Sequence, residues 1–193
     1  VEAYVAPGSH KTKQASGEKK YYHLILLAKN NAGWKNLIKL VTLANLEGFY
    51  YKPRVDKELL KEHNEGLIAL SGCITGEIAK NILNKNSAEA EKIAMEYENI
   101  FGKGNFYLEI GHHPGIKETV RANEGLIELS KKTGIPLVAT QDIHYVKKED
   151  AEYHDILLAV QTGNKLSDPG RLTLKDDDFS MCSPEEMASF FPD

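Results

Sequence analysis

Four short apolar runs, each followed by a stretch of helical spacing, constrain this chain more than any other feature. They are Tyr22–Ala28, Gly66–Ser71, Asn105–Ile110 and Ile135–Ala139. Runs of this length, rich in Leu, Ile and Val, read as strands buried on both faces. The segments between them read as helices. Asn30 or Asn31 caps a helix with Trp34, Leu37, Ile38, Val41 and Ala44 at helical spacing, and Gly48 ends it. Asp56 starts a short helix to about His63, and others run from about Ile74 to Leu83 and from Ser87 to Phe101. Two more run from about Ile116 to Lys132, stopped at Gly134, and from Lys148 to Gln161. Strand and helix alternating at this spacing predict an α/β fold with parallel pairing and right-handed crossovers, barrel-like rather than a sandwich. The strands fall short of a closed barrel. The chain also opens Val1-Glu2-Ala3-Tyr4-Val5 without an initiator Met, so it reads as a piece of something longer.

The remaining segments are less regular. Gly8–Lys20 is polar and reads as an exposed loop, and Phe49–Arg54 as an aromatic, proline-punctuated loop. Asp178–Cys182 could form a strand, and Ser183-Pro184-Glu185-Glu186 opens a capped helix. A length of 193 residues suits one domain or two small ones. Two distant cysteines, Cys73 and Cys182, offer no disulfide framework, which suggests a reducing, cytoplasmic setting. No apolar run is long enough to span a membrane. The net charge of −4 is unlike that of a module built to grip phosphates. If nucleic acid is the substrate, metal ions or a neighbouring domain must supply the positive charge. The absence of a Gly-x-Ser-x-Gly elbow or a P-loop argues against those hydrolase and nucleotide-binding classes.

Chemistry concentrates where strands end. The strand Ile135–Ala139 runs into Thr140-Gln141-Asp142-Ile143-His144-Tyr145. Residues two apart on an extended chain point the same way, so Asp142 and His144 can reach one divalent cation at the strand's mouth. The plainer alternative is a loop carboxylate beside a solvated histidine. Cys73 follows its own strand in the same manner, and thiolate, imidazole and carboxylate together suit zinc, manganese or iron. Read alone, however, Cys73 fits a small buried thiol at a turn better than a ligand. Glu2 is by itself a solvated carboxylate, and His23, at the start of its run, a hydrogen-bonded histidine at the core edge. His112 and His113 follow the third strand; His10, His63 and His154 have no evident partner in the sequence.

Several ordered segments resemble one family. They are Glu2-Ala3-Tyr4-Val5-Ala6-Pro7-Gly8-Ser9, His23-Leu24 through Leu27-Ala28-Lys29-Asn30, Gly48-Phe49-Tyr50-Tyr51-Lys52-Pro53-Arg54-Val55-Asp56 and Ala69-Leu70-Ser71-Gly72-Cys73. Phe106–Ile110, Ala139–Tyr145 and Asp155–Gly163 continue the series almost to the end of the chain. Together they resemble the PHP (polymerase and histidinol phosphatase) domain of bacterial replicative DNA polymerases of the polymerase III alpha type. The resemblance implies a distorted seven-stranded (β/α) barrel, here lacking its first strands, around a cluster of divalent metal ions held by nine ligands. Matched residue by residue, it assigns Glu2, His23, Cys73, Asp142 and His144 as metal ligands, with the remaining four upstream of Val1. Gly111-His112-His113-Pro114 departs from the family's usual acidic residue before its histidine, and these positions stay unassigned.

The resemblance further implies that residues 1–182 are the C-terminal two-thirds or so of a PHP domain and that 183–193 begin the connection to the polymerase core. The parent would replicate DNA alongside other replicase subunits, with metal-dependent 3′–5′ exonuclease proofreading in the PHP domain. The alternative is a non-catalytic scaffold that stabilises the polymerase and docks a separate exonuclease subunit. A free-standing phosphatase of small phosphate esters ranks behind both. The piece alone is expected to be inactive.

Overall fold

The computed structural model describes residues 1–13 and 21–192, so 14–20, the greater part of the expected polar loop, lie outside the described residues. The chain divides into two compact units, one of Val1–Ile110 with Ala122–Val138, the other of Gly111–Arg121 with the chain from Ala139 onward.

The first unit is built on a sheet whose strands are β1 (Glu2–Val5), β2 (Tyr22–Ala28), β3 (Phe49–Tyr50), β4 (Lys52–Val55), β5 (Leu67–Leu70), β6 (Phe106–Gly111) and β7 (Leu137–Thr140). Their order is β3-β4-β1-β2-β5-β6-β7, an open α/β sheet consistent with part of a barrel. The pairing is mixed. β1 with β4 and β5 with β6 are parallel, as expected, but β2 runs antiparallel to both β1 and β5. The expectation of uniformly parallel strands is therefore corrected. Between β1 and β2 no helix intervenes to carry a crossover among the described residues, so the chain returns in the opposite direction. Phe49–Arg54 is likewise a hairpin of β3 and β4 rather than a loop. Tyr51, with φ 63°, makes the one-residue reversal, and Phe49 pairs with Pro53.

The register divides the sheet into two faces. Ala3, Val5, Leu24, Leu26, Leu67, Ala69, Phe106 and Leu108 share one face and are buried. Against it pack helix α1 (Asn31–Leu46), which contacts β2, β4 and β5, and helix α4 (Ser87–Phe101), which contacts β5. The other face carries Glu2, Tyr4, His23, Arg54 and Glu109, placed there by the same pairings. β2 is thus not buried on both sides. Leu24 and Leu26 are each 1% exposed while Leu27 is 45% exposed. In α1 the inward stripe is Leu37, Leu40 and Ala44, whereas Trp34, Ile38 and Val41 face outward.

Local capping follows the sequence closely. Asn30 accepts from Gly33 N–H ahead of α1, and Asp56 from Leu59 N–H ahead of α2 (Lys57–Glu62). Asn86 caps α4, while α3 (Glu77–Leu83) starts three residues later than its sequence suggests because the chain first turns at Gly76. Helix α5 is Lys117–Thr133.

His10 is buried, not part of an exposed loop. Its Nδ1 lies 2.5 Å from Asp56 Oδ2, and its backbone N–H donates to the same oxygen at 2.8 Å. The buried Arg54 guanidinium donates to the carbonyls of His10, Thr12 and Gly48, fastening the chain beyond β1 to the β4 edge.

In the second unit, α6 (Ala151–Thr162) follows a 3-10 turn, and α7 (Pro184–Phe190) opens with the expected Ser183–Glu186 capping box. No strand forms at Asp178–Cys182. His144 and Tyr145 N–H both donate to Phe179 O and Met181 N–H donates to Val146 O, bonds that do not extend into a ladder. The carboxylate of Asp155, 1% exposed, holds the following segment. It accepts two bonds of 2.6 Å from Arg171, one of 2.8 Å from Thr173 and an ion pair at 3.0 Å from Lys175. Among the described residues no helix is long and apolar enough to cross a membrane.

Candidate functional site

The polar face of the first unit gathers three of the expected ligands. Because β2 is antiparallel to β5, the start of β2 lies at the end of β5, and the Ile25–Leu70 pairing sets His23 beside the turn that follows Leu70. That turn needs glycine. Gly72 has φ +79°, and a Cβ there would stand 2.7 Å from the His23 carbonyl oxygen. Gly76 then returns to bridge with His23, so the loop between them folds back onto β2 and carries Cys73 with it. On the other side, Glu2 pairs with Ile25 and is the diagonal neighbour of His23, within reach of its side chain.

Glu2 Oε1 meets His23 Nδ1, and Cys73 Sγ lies 3.9 Å from the same nitrogen and 3.1 Å from Thr75 Oγ1. Carboxylate and thiol, two donor types that divalent metals use, thus converge on one nitrogen of a third, the imidazole. They engage each other there rather than a shared cation position. Among the described residues no group of three or more His, Cys, Asp or Glu is arranged to hold a metal.

Glu109, which the sequence reading passed over, supports this turn. Its carboxylate accepts from Gly72 N–H at 3.1 Å, and its own N–H donates to Ser71 Oγ at 2.9 Å. The alternation of Phe106–Ile110 was a signal for it, since a glutamate between inward Leu108 and Ile110 must face the opposite side.

Asp142 and His144 belong to the second unit. β7 ends at Thr140, and Asp142 takes φ +50°, so the extended geometry expected to aim both side chains the same way does not hold. Both residues are exposed. His144 Nδ1 sits 2.6 Å from the Asp142 carbonyl oxygen; a carbonyl only accepts, so Nδ1 carries the hydrogen and a neutral ring keeps its lone pair on Nε2. That is the tautomer an Nε2 metal ligand requires. His154 and Phe179 meet the His144 ring edge-on at 5.4 Å. The expected convergence of Cys73 with Asp142 and His144 spans the two units.

The unassigned histidines also find places. His113 is 6% exposed, stacks on Phe179 at 4.3 Å, and has no hydrogen-bond partner for either nitrogen among the described residues. Burial pushes its imidazole below the ordinary range, against the pull of Asp177 and Asp142. His112 stacks on Phe190 at 3.8 Å, and the neighbouring cleft is lined by Pro114, Gln141, Lys148, Asp177 and Cys182. Gln141, buried, holds Cys182 by accepting its backbone N–H at 2.9 Å.

The model of the PHP domain family matches residues 1–113. Among curated proteins, the chain is 46% identical over 193 residues to DNA polymerase III subunit alpha of Treponema pallidum, covering 99% of this chain and 16% of the relative. It is 45% identical over 194 residues to the protein of the same name in Borreliella burgdorferi, covering 100% of this chain and 17% of the relative. The corresponding protein of Thermus aquaticus is 46% identical over 194 residues, again covering 100% of this chain and 16% of the relative. The chain therefore spans about a sixth of the length of these relatives.

Proposed function

The chain belongs to the PHP domain family, and from that premise we propose that it is the PHP portion of the alpha subunit of a bacterial DNA polymerase III, carrying metal-dependent 3′–5′ exonuclease chemistry in the intact parent. The carrying observation is the approach of Glu2, His23 and Cys73 at one end of the sheet. In this reading residues 1–182 are the C-terminal two-thirds or so of the PHP domain and 183–193 lead toward the polymerase core. Glu2, His23, Cys73, Asp142 and His144 are ligands of a zinc, manganese or iron cluster. Such a cluster would supply Lewis acidity and an activated water for phosphodiester hydrolysis. The chain's own part is to present a carboxylate and a thiol to either side of His23, and to keep His144 in the tautomer that leaves Nε2 open. DNA and other replicase subunits are the partners of the parent.

A second reading has the domain as a scaffold that stabilises the polymerase and docks a separate exonuclease. The hydrogen bonds of Glu109 to Gly72 and Ser71, which tie the Cys73 turn into the sheet, suit it.

Asp142→Asn and Cys73→Ser in the intact parent separate the two. The catalytic reading expects a loss of about a hundredfold or more in removal of a mismatched 3′ nucleotide, with primer extension and the melting temperature nearly unchanged. Loss of both activities together with a large fall in melting temperature establishes the scaffold. Wild-type removal rates in both variants would refute the ligand assignment. The 193-residue chain alone, with five of the family's nine ligands, is expected to leave a primer end intact in the presence of manganese or zinc.

A further inference from the structure

We propose that Tyr4, Tyr21 and Lys52 form a shelf that receives the unpaired terminal nucleotide of a single-stranded nucleic acid and positions it against the Glu2–His23–Cys73 cluster. The inference deepens the exonuclease reading and rests on it for the nature of the substrate.

The register places the parts. Tyr4 pairs with His23 across β1 and β2, so both share the face that also carries Glu2. Tyr21 precedes His23 by two residues and its ring lies parallel to the imidazole, with an interplanar angle of 13° at 6.1 Å. Tyr4 meets Tyr21 edge-on at 4.9 Å and His23 edge-on at 5.4 Å. Lys52, two residues before the Arg54 that pairs with Tyr4, holds its Nζ 5.5 Å from the centre of the Tyr4 ring.

These side chains stay accessible. Both tyrosines are half-buried and Lys52 is exposed, unlike the sealed aliphatic face behind them. Lys52 has no carboxylate within ion-pair distance among the described residues, whereas Lys57 on the same unit is held by Glu77 and Glu96. An unneutralised ammonium over one tyrosine ring, with a second tyrosine packed against that ring, is the combination that single-stranded nucleic acid uses, the bases stacking on aromatic faces and the phosphates meeting the cation. The chain is net acidic, so a local cation next to the cluster matters more than it would on a basic surface. Tyr4, Tyr21 and Lys52 act as positioning residues.

The test uses the intact polymerase parent and an oligodeoxynucleotide primer whose unpaired 3′-terminal residue is 5-iododeoxyuridine. After irradiation, the crosslinked peptide is mapped by mass spectrometry. The expected crosslink falls on the peptide containing Tyr21 or on that containing Tyr4. It disappears in Tyr21→Ala and persists in Tyr21→Phe, which keeps the ring and controls for folding. In 3′-nucleotide removal, Tyr21→Ala should raise KM about tenfold with kcat little changed. Lys52→Ala should raise KM and reduce the slope of log affinity against log salt by about one. Crosslinks confined to other peptides, with 3′ removal intact, overturn the shelf and leave the exonuclease reading standing. A crosslink at Tyr21 in a parent that removes no 3′ nucleotide supports the shelf and refutes the exonuclease.

Discussion

Glu2, His23 and Cys73 in one unit and Asp142 and His144 in the other are proposed for the same task, yet their backbones are held in different ways. The first set is fixed by strand register and by a glycine turn whose backbone is pinned through Glu109 and Ser71. The second lies past the end of β7 on exposed chain, with a left-handed aspartate and a histidine steadied by ring contacts. A sheet tolerates little local change without cost to the whole, whereas exposed chain can change with small effect on stability. Changes to the backbone that carries the first set should therefore affect folding and function together, and changes to the chain that carries the second should affect function alone.

The sharpest break of that contrast is Gly72→Ala. A Cβ there meets the His23 carbonyl in a left-handed conformation, so a loss of about 2–4 kcal/mol is expected in urea unfolding. Any zinc bound by the parent should be released at lower chelator concentration. A wild-type midpoint would show that the turn is not a rigid support.

Asp155 tests whether the second unit has a rigid part of its own. Its bonds to Arg171, Lys175 and Thr173 hold the carboxyl well below the usual carboxylate range. With the folded-state pKa depressed, the stabilisation is present above the unfolded value near about 4 and is lost as pH falls through the folded one. Asp155→Asn should lower the melting temperature at neutral pH and remove that acid-dependent component; an unchanged acid profile would refute the clamp.

His113→Phe should cost nothing or stabilise by about 1 kcal/mol, because both ring nitrogens are buried without partners among the described residues. Burial lowers the folded-state pKa, so the unfolded chain takes up the proton first. The wild type should lose stability as pH falls below about 6.5, and the Phe variant should lose less over the same range, as read by thermal melts. A steeper loss in the variant would contradict a buried neutral ring.

The smallest effect is expected at Asp142. Asp142→Gly relieves the left-handed backbone and should gain up to about 1 kcal/mol, while removing the proposed ligand. A stability loss above that would mean Asp142 is held by more than its exposed position shows.

Much of this was legible in the sequence because it is local. Asn30, Asp56 and Ser183 declare their helices through a few neighbouring residues, and the structure places caps at each. What failed depended on distant partners. Nothing within Tyr22–Ala28 reveals that β2 runs backwards, and that reversal is why a histidine at the start of its strand joins a cysteine after the end of another. His10 lacked an evident partner because Asp56 lies 46 residues away. The β3–β4 hairpin was hidden because its reversal rests on a tyrosine rather than a glycine at positive φ.

The central place of β1 bears on the order of folding. Tyr4 pairs with His23 about twenty positions on and with Arg54 about fifty positions on. Loop closure grows costlier by about 0.6 kcal/mol per doubling of length, so the β1–β2 ladder should zip before β4 docks. Pulse-labelled hydrogen exchange would then show the amides of β1 that face β2 protected ahead of those facing β4. Glu2 and His23 would meet early in folding, and Lys52 would reach Tyr4 only when the last edge of the sheet closes.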